Sequence, residues 1–475
     1  MYHSTFLVIL STVHLVVTQK IGDLQEEIHP KLSWTRCNAS TCDTVQGEIT
    51  VDAEFRWIHV VDDHRSCFER QEWQTDQCNS TQSCTDRCAV DGAYYPGYGI
   101  ATNGDTLSQR YDTPIDFSRS RNSRVFLLEE SGDRYQTFTL LDNEIAFDVD
   151  LSTVPCGLNA ALHFLAMDAD GGLERFPDNE AGARYGTGYC NADCPRSLRF
   201  VGGEANFDGW TPSESDALHG QGSRGACCPE FDVWNSNSRA FQTTSKLCQR
   251  RTPFYFVCQD EVCDNGERAV TCDPEGCDYN PYRLGARDFY GQGKTVDTSR
   301  KFTVVTRFSK DKITKFFLQD GKKIETPAPA ISNIPDGDDL SEEYCRAKAE
   351  AFQERNFFLA LGGSAAQNDV LRRPMVMALS IQDDYYAWNV WLDSVYPTEA
   401  GDQPGGPRGP CVWQDNNPDV GTLRPDWQQA KVAWSNIRFG PIGSTVDVDE
   451  NLCESIIPEM STEYTCLPKM FLYRR

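Results

Sequence analysis

The chain has 475 residues and a formal charge of -25, from 45 Lys and Arg against 70 Asp and Glu. That balance excludes a protein built to grip a phosphate backbone, which needs clustered cations. The length allows one very large domain or about two to three ordinary ones, and a 39% apolar fraction can supply a sizeable core.

The first element is the apolar run Phe6 to Val17. It is too short to span a bilayer, and Thr18 offers a cleavage point, so residues 1–18 are expected to be a signal peptide. The n-region is unusual for one, with His3 and no Lys or Arg. No later stretch is apolar for long enough to cross a membrane. The cysteine count, 20, is even and high. Behind a leader, that points to a secreted, extracellular protein full of disulfides. Histidine is scarce at seven residues, so Cys190 and Cys194, and the adjacent Cys227 and Cys228, are read as disulfide cysteines and not as metal ligands. Neither a metal nor a cofactor is expected. The sequons at Asn38 and Asn79 can carry glycans on a secreted chain.

From there strands dominate. "GEITVDAEFRWIHV" (47–60), "RYQTFTLLDNEIAFDVDL" (134–151), "AALHFLAMD" (160–168), "KFTVVTRF" (301–308), "KITKFFL" (312–318) and "PMVMALSI" (374–381) are rich in β-branched and aromatic residues. Turn clusters such as "DADGG" and "QDGKK" separate them. Helical periodicity is clear only in "SEEYCRAKAEAFQER" (341–355). Many strands with long Gly- and Cys-rich loops imply an all-β sandwich. Asp168 and Asp170 in "MDADGG" are read as turn carboxylates. After "FGPIGST" a tail of about thirty residues contains Cys453 and Cys466, expected to pair with each other. The expected layout is a leader at 1–18, one domain at 19–445 and a tail at 446–475.

The stretch with most chemistry in it is "CCPEFDVWNSNS" (227–238). Glu230 and Asp232 share one face of a strand, because side chains alternate with period two. Taken with "AMDADGG", "YGTGYCNADCPRSLRF", "CDPEGCDYNPYRLG", "DDYYAWNVWLDSVYP" and "SNIRFGPIGST", it resembles glycoside hydrolase family 7, the secreted cellobiohydrolases and endoglucanases. The likeness runs from about Leu32 to Thr445. It implies a β-jelly-roll sandwich of two curved antiparallel sheets, with a long loop-covered cleft that binds a β-1,4-glucan chain such as cellulose. Neither nucleic acid nor membrane is implied as a partner, and the chain is expected to be a monomer.

The resemblance also implies nine disulfides: Cys37–Cys42, Cys67–Cys88, Cys78–Cys84, Cys156–Cys411, Cys190–Cys228, Cys194–Cys227, Cys248–Cys272, Cys258–Cys263 and Cys277–Cys345. A further family bridge ties the mature N-terminus to the position of Ala89. Both of its cysteines are missing here. The loop 207–228 has the cellobiohydrolase length, while the segment 264–271 is short, which implies a partly open roof.

The family motif is E-x-D-x-x-E. By resemblance Glu230 is the nucleophile of a retaining glycosidase, and Asp232 assists it. Asn235 occupies the position of the acid/base. Retention needs one carboxyl to attack and a second to protonate the leaving oxygen and later activate water; an amide can donate a hydrogen bond but cannot transfer a proton. The first and last positions are five apart, so a β-bulge is needed for both to face one side. Other departures surround the site: Lys246 replaces a His, Arg224 another His, His163 a cleft Tyr, and Gln382 a platform Trp. Trp57, Asn159, Tyr189, Asp278, Trp391 and Arg408 match family positions that contact sugar. By themselves Trp57 and Trp391 are ordinary core residues. The expectation is therefore a glucan-binding protein on a glucanase scaffold, with hydrolysis weak or absent. The rivals are an active β-1,4-glucanase drawing on another acid, such as Glu214 or Asp216, and a structural or interaction protein without a sugar ligand.

Overall fold

The computed structural model describes residues 19–115, 118–176, 179–213, 220–249, 252–263, 271–335, 339–384, 388–412 and 427–446, together with the backbone of 464–467 and 471–474. The expected leader, Glu214 and Asp216, most of the short segment at 264–271 and Cys453 lie outside these residues. In the tail, Tyr464–Leu467 pairs antiparallel with Phe471–Arg474.

The protein is a β-sandwich of two large sheets. The sheet that carries the site has eight strands: β1 (Glu48–Val51), β2 (Ser123–Leu128), β3 (Thr137–Phe138), β4 (Leu158–Leu165), β5 (Glu230–Ser236), β6 (Phe241–Lys246), β7 (Cys277–Tyr279) and β8 (Met375–Asp383). They run β7-β6-β5-β4-β8-β2-β1, with β3 also on β8. Every pair is antiparallel. The ten-stranded sheet opposite is built around Asn143–Asp150, Phe302–Ser309, Lys312–Gln319 and Lys431–Pro441. Its one parallel contact joins Trp34–Cys37 to Lys431–Pro441.

Alternation along β4 separates the layers. Leu158, Ala160, Leu162 and Phe164 are fully buried between the sheets, whereas Asn159 and His163 on the other face are half-buried. On β5 the core side is Trp234, whose ring stacks on Phe241 at 4.7 Å and meets Phe317, Phe302 and Tyr290 edge-on. Rings of this size placed edge to face dominate such a core.

The strand expectations hold with trimmed ends. Two segments break: 47–60 at a 3₁₀ turn, Ala53–Phe55, capped by the Asp52 carboxylate, and 134–151 between Thr137–Phe138 in one sheet and Asn143–Asp150 in the other. The expected helix is Glu342–Phe352, capped by Ser341. Two further helices, Thr81–Arg87 and Gly363–Leu371, carry too few apolar positions to show a period. The former is fixed instead by a Ser80/Ser83 capping box.

All nine implied disulfides are formed. Cys227 and Cys228, just ahead of β5, are tied to Cys194 and Cys190 and so anchor that strand's start. Lys20 and Ile21 pair with Ala89 and Val90 as a parallel strand, so backbone hydrogen bonds hold the N-terminal segment there.

Candidate active site

β5 contains the bulge that the motif spacing requires. Asp232 pairs with Thr244 and Asn235 with Gln242, three residues against two, and toward β4 the register skips Val233. The extra residue turns Asn235 back to the face of Glu230 and Asp232. A bulge frees a carbonyl from the ladder, and a buried carbonyl needs a partner. Val233 O finds two: the Thr243 hydroxyl at 2.9 Å and the Lys315 Nζ at 3.0 Å. Lys315 comes from the opposite sheet, and burial drives its amine well below the usual lysine range.

On the open face the three motif side chains form one network. Asn235 Nδ2 donates to Asp232 Oδ2 at 2.9 Å. Asn235 Oδ1 accepts from Asn159 Nδ2 and faces His163 Nε2, both at 2.8 Å. His163 Nδ1 lies 3.6 Å from Asp232 Oδ1. Lys246, opposite Glu230 in register, donates to Glu230 Oε1 at 2.6 Å and sits 3.3 Å from Asp232 Oδ2 and 3.8 Å from Asp193. Glu230 Oε2 and Asp232 Oδ1 have no hydrogen-bond partner among the described residues.

The electrostatics follow from that arrangement. Burial first, then the Asp232 charge, pushes the Glu230 carboxyl up to about 8, against the pull of Lys246. Burial works against the Lys246 charge, but Asp232, Glu230 and Asp193 outweigh it and hold the ammonium well above the usual lysine range. Burial lowers His163, so its ring is neutral at pH 7.

The remaining expected site residues divide into groups. Asp278 shares a register row with Thr244, Asp232 and His163, which puts it on the same face two strands away. It is buried and held by Arg283 and Lys348; burial is overridden by these charges and that of Arg408, so its carboxyl lies well below the usual range. Arg408 lies over the Tyr396 ring at 5.0 Å and 3.7 Å from Glu354, within the same charged cluster. Tyr189 lies under the Arg124 guanidinium at 3.4 Å. It lines a pocket with Asp52, Glu54, Arg199 and Tyr255. Trp57 is half-buried, with Nε1 on Ser66. Trp391 is half-buried on the short helix Val390–Asp393. Gln382 pairs in register with Asn159 on β8. Arg224 is paired with Glu204. Asn38 and Asn79 are exposed.

Sequence reasoning marked Lys246 and His163 as departures without seeing what they touch. Register was the missing signal for Lys246, because it places that residue opposite Glu230. Lys315 carried no signal, since its partner is 82 residues away in the other sheet.

The sequence profile of glycosyl hydrolase family 7 matches residues 21–446. Among solved structures, the chain is similar to the Melanocarpus albomyces cellobiohydrolase complexed with cellotetraose, at 46% identity and a TM-score of 0.85. It is similar to the GH7 family cellobiohydrolase of Daphnia pulex at 34% and 0.85, and to the Humicola insolens endocellulase EGI at 31% and 0.75. Each likeness covers 90% of this chain and 100% of the other. With the motif strand, the disulfide frame and the two-sheet sandwich all in agreement, the chain belongs to glycosyl hydrolase family 7.

Proposed function

We propose that this is a secreted β-1,4-glucan-binding protein whose hydrolytic activity is weak or absent. Residues 1–18 would be the leader and Asn38 and Asn79 the glycan sites. The chain would lie over β4, β5 and β6, with Trp57, Asn159, Tyr189, Asp278, Trp391 and Arg408 as contacts. The observation that carries the reading is Asn235. Its amide is engaged by Asp232, Asn159 and His163 at the position where the family motif has its acid/base. The amide has no transferable proton. Loss of general acid–base help costs roughly 10²–10⁴-fold in rate, and an alkoxide leaving group feels all of it. Lys246 does not replace the acid: its three carboxylate neighbours keep the proton on nitrogen, and it bonds the nucleophile directly. Glu230 is retained as the nucleophile and Asp232 as its helper.

A dinitrophenyl cellobioside, whose leaving group needs no proton, tests this. Glu230 should be glycosylated, the covalent intermediate should accumulate, and added azide should accelerate turnover and yield the β-azide. Cellulose hydrolysis at ordinary family rates without azide defeats the reading in favour of an active enzyme with another acid. Failure to retain any cello-oligosaccharide defeats it in favour of a protein that has left sugars altogether.

A further inference from the structure

Hydrogen-bond polarity around Asn235 decides which nitrogen of His163 carries a proton. A carboxylate only accepts, so the group facing Asp232 Oδ2 at 2.9 Å is the Asn235 NH₂. Asn235 therefore presents its oxygen to Asn159 Nδ2 and His163 Nε2. Asn159 is oriented in turn by the Ser236 amide, which donates to Asn159 Oδ1 at 2.9 Å. His163 Nε2 must then carry the hydrogen. In the neutral ring Nδ1 is left as a lone pair.

That lone pair lies 3.6 Å from Asp232 Oδ1, so an acceptor faces an acceptor. Among the described residues, Asp232 Oδ1 and Glu230 Oε2 are both without a hydrogen-bond partner, on side chains only 1% exposed. One ligand atom from each of His163, Glu230 and Asp232 lies within 4.8 Å of the other two. Lys246 does not close this space, because its ammonium bonds Glu230 Oε1 and approaches Asp232 Oδ2, the opposite oxygen of each carboxylate. His163 remains 20% exposed, so the space is reachable from the open face.

An imidazole nitrogen and two carboxyl groups brought within 4.8 Å of one another offer a cation three ligands. A metal-binding imidazole is commonly held by an acceptor on its far N–H, which fixes tautomer and aim; Asn235 Oδ1 does this for His163. One imidazole nitrogen with two carboxylate oxygens suits borderline divalent ions such as zinc.

We propose that His163 Nδ1, Asp232 Oδ1 and Glu230 Oε2 form a binding site for a divalent transition-metal ion. The site does not depend on the glucan reading, since the strand register brings its three residues together. An ion there occupies Glu230, so metal and nucleophilic attack are mutually exclusive. The Lys246 ammonium, which faces both carboxyl groups, holds the affinity down.

The test uses the purified protein stripped with EDTA. Zn²⁺ is titrated by calorimetry at pH 7.5, and a Cu²⁺-loaded sample is read by EPR. One ion per chain is expected, with hyperfine coupling to one nitrogen. His163→Tyr should weaken Zn²⁺ binding at least about tenfold and abolish that coupling. Asp232→Asn should weaken binding similarly and serves as the second variant if the first does not fold. Lys246→Gln should tighten binding, since a neighbouring positive charge is removed. Circular dichroism of the ion-free variants checks their folding. Binding unchanged in both His163→Tyr and Asp232→Asn overturns the proposal, because the ion then sits on other groups. Absence of binding in both the wild type and Lys246→Gln overturns it as well.

Discussion

Two buried glutamates, Glu27 and Glu230, each touch a cation, and their carboxyls shift in opposite directions. Burial alone would raise Glu27, but hydrogen bonds from His29 and Arg56 override it and hold the carboxyl down at about 2. Arg56 reaches both of its oxygens, and Tyr95 and the Ala93 amide complete the set. Glu230 has one bond, from Lys246, one bare oxygen and Asp232 as a neighbour; its carboxyl is pushed up to about 8, by burial first and then by Asp232. A nearby cation therefore does not decide whether a buried carboxylate is comfortable. The number of donors and the presence of a second negative charge do. The Glu27 cluster is built to hold still, whereas the Glu230 cluster keeps unused bonding capacity, as a site that must receive something does.

The widest gap between the two should come from Glu27→Ala. It leaves the fully buried Arg56 guanidinium uncompensated, and breaking such a pair costs about 3–5 kcal/mol, read as a shift in the urea midpoint. The acid limb of the stability curve should change with it. Because the folded Glu27 carboxyl lies near 2 and the unfolded one near 4.5, the wild type has this stability above pH 4.5 and loses about 3 kcal/mol of it as pH falls toward 2. An acid limb identical in Glu27→Ala and wild type breaks the comparison on this side.

Asn235→Glu sharpens the other side. It supplies the proton donor and adds a carboxyl beside Asp232. Turnover of cello-oligosaccharides should rise about a hundredfold, with Glu230 pushed further up by the added negative charge. An unchanged rate would mean that Lys246 and His163, and not Asn235 alone, hold the site back.

Glu230→Gln reads the pH dependence of the same cluster. Because the folded Glu230 carboxyl lies near 8 and the unfolded one near 4.5, the wild type loses about 3 kcal/mol between pH 4.5 and 7 that the Gln variant keeps. The sign with pH is opposite to that of Glu27. A carboxyl raised in the folded state stabilises below its unfolded value near 4.5, and that contribution is lost as pH rises through about 8. Glu230→Gln should flatten the alkaline limb; a steeper limb contradicts the raised carboxyl.

Much of the site was readable because it lies on one short strand. Glu230, Asp232 and Asn235 follow from the motif, and the odd spacing from 230 to 235 required a bulge, found at Val233. The contacts that set its chemistry were not readable. Lys246 meets Glu230 only through the β5–β6 register, and His163 meets Asn235 only through β4. The Glu27–Arg56 cluster joins residues 29 apart with no periodic pattern between them. The helices Thr81–Arg87 and Gly363–Leu371 are too short to show a hydrophobic period, and only the former has a capping box.

Lys315 has a use of its own. Pushed well below the usual lysine range by burial, it lies between Val233 O and the Thr306 hydroxyl, two acceptors for the two hydrogens of a neutral amine. An amine-reactive label reaches this amine only when the closed sandwich opens. The rate at which Lys315 becomes tagged is a clock for how often the two sheets part beneath the strand that carries Glu230.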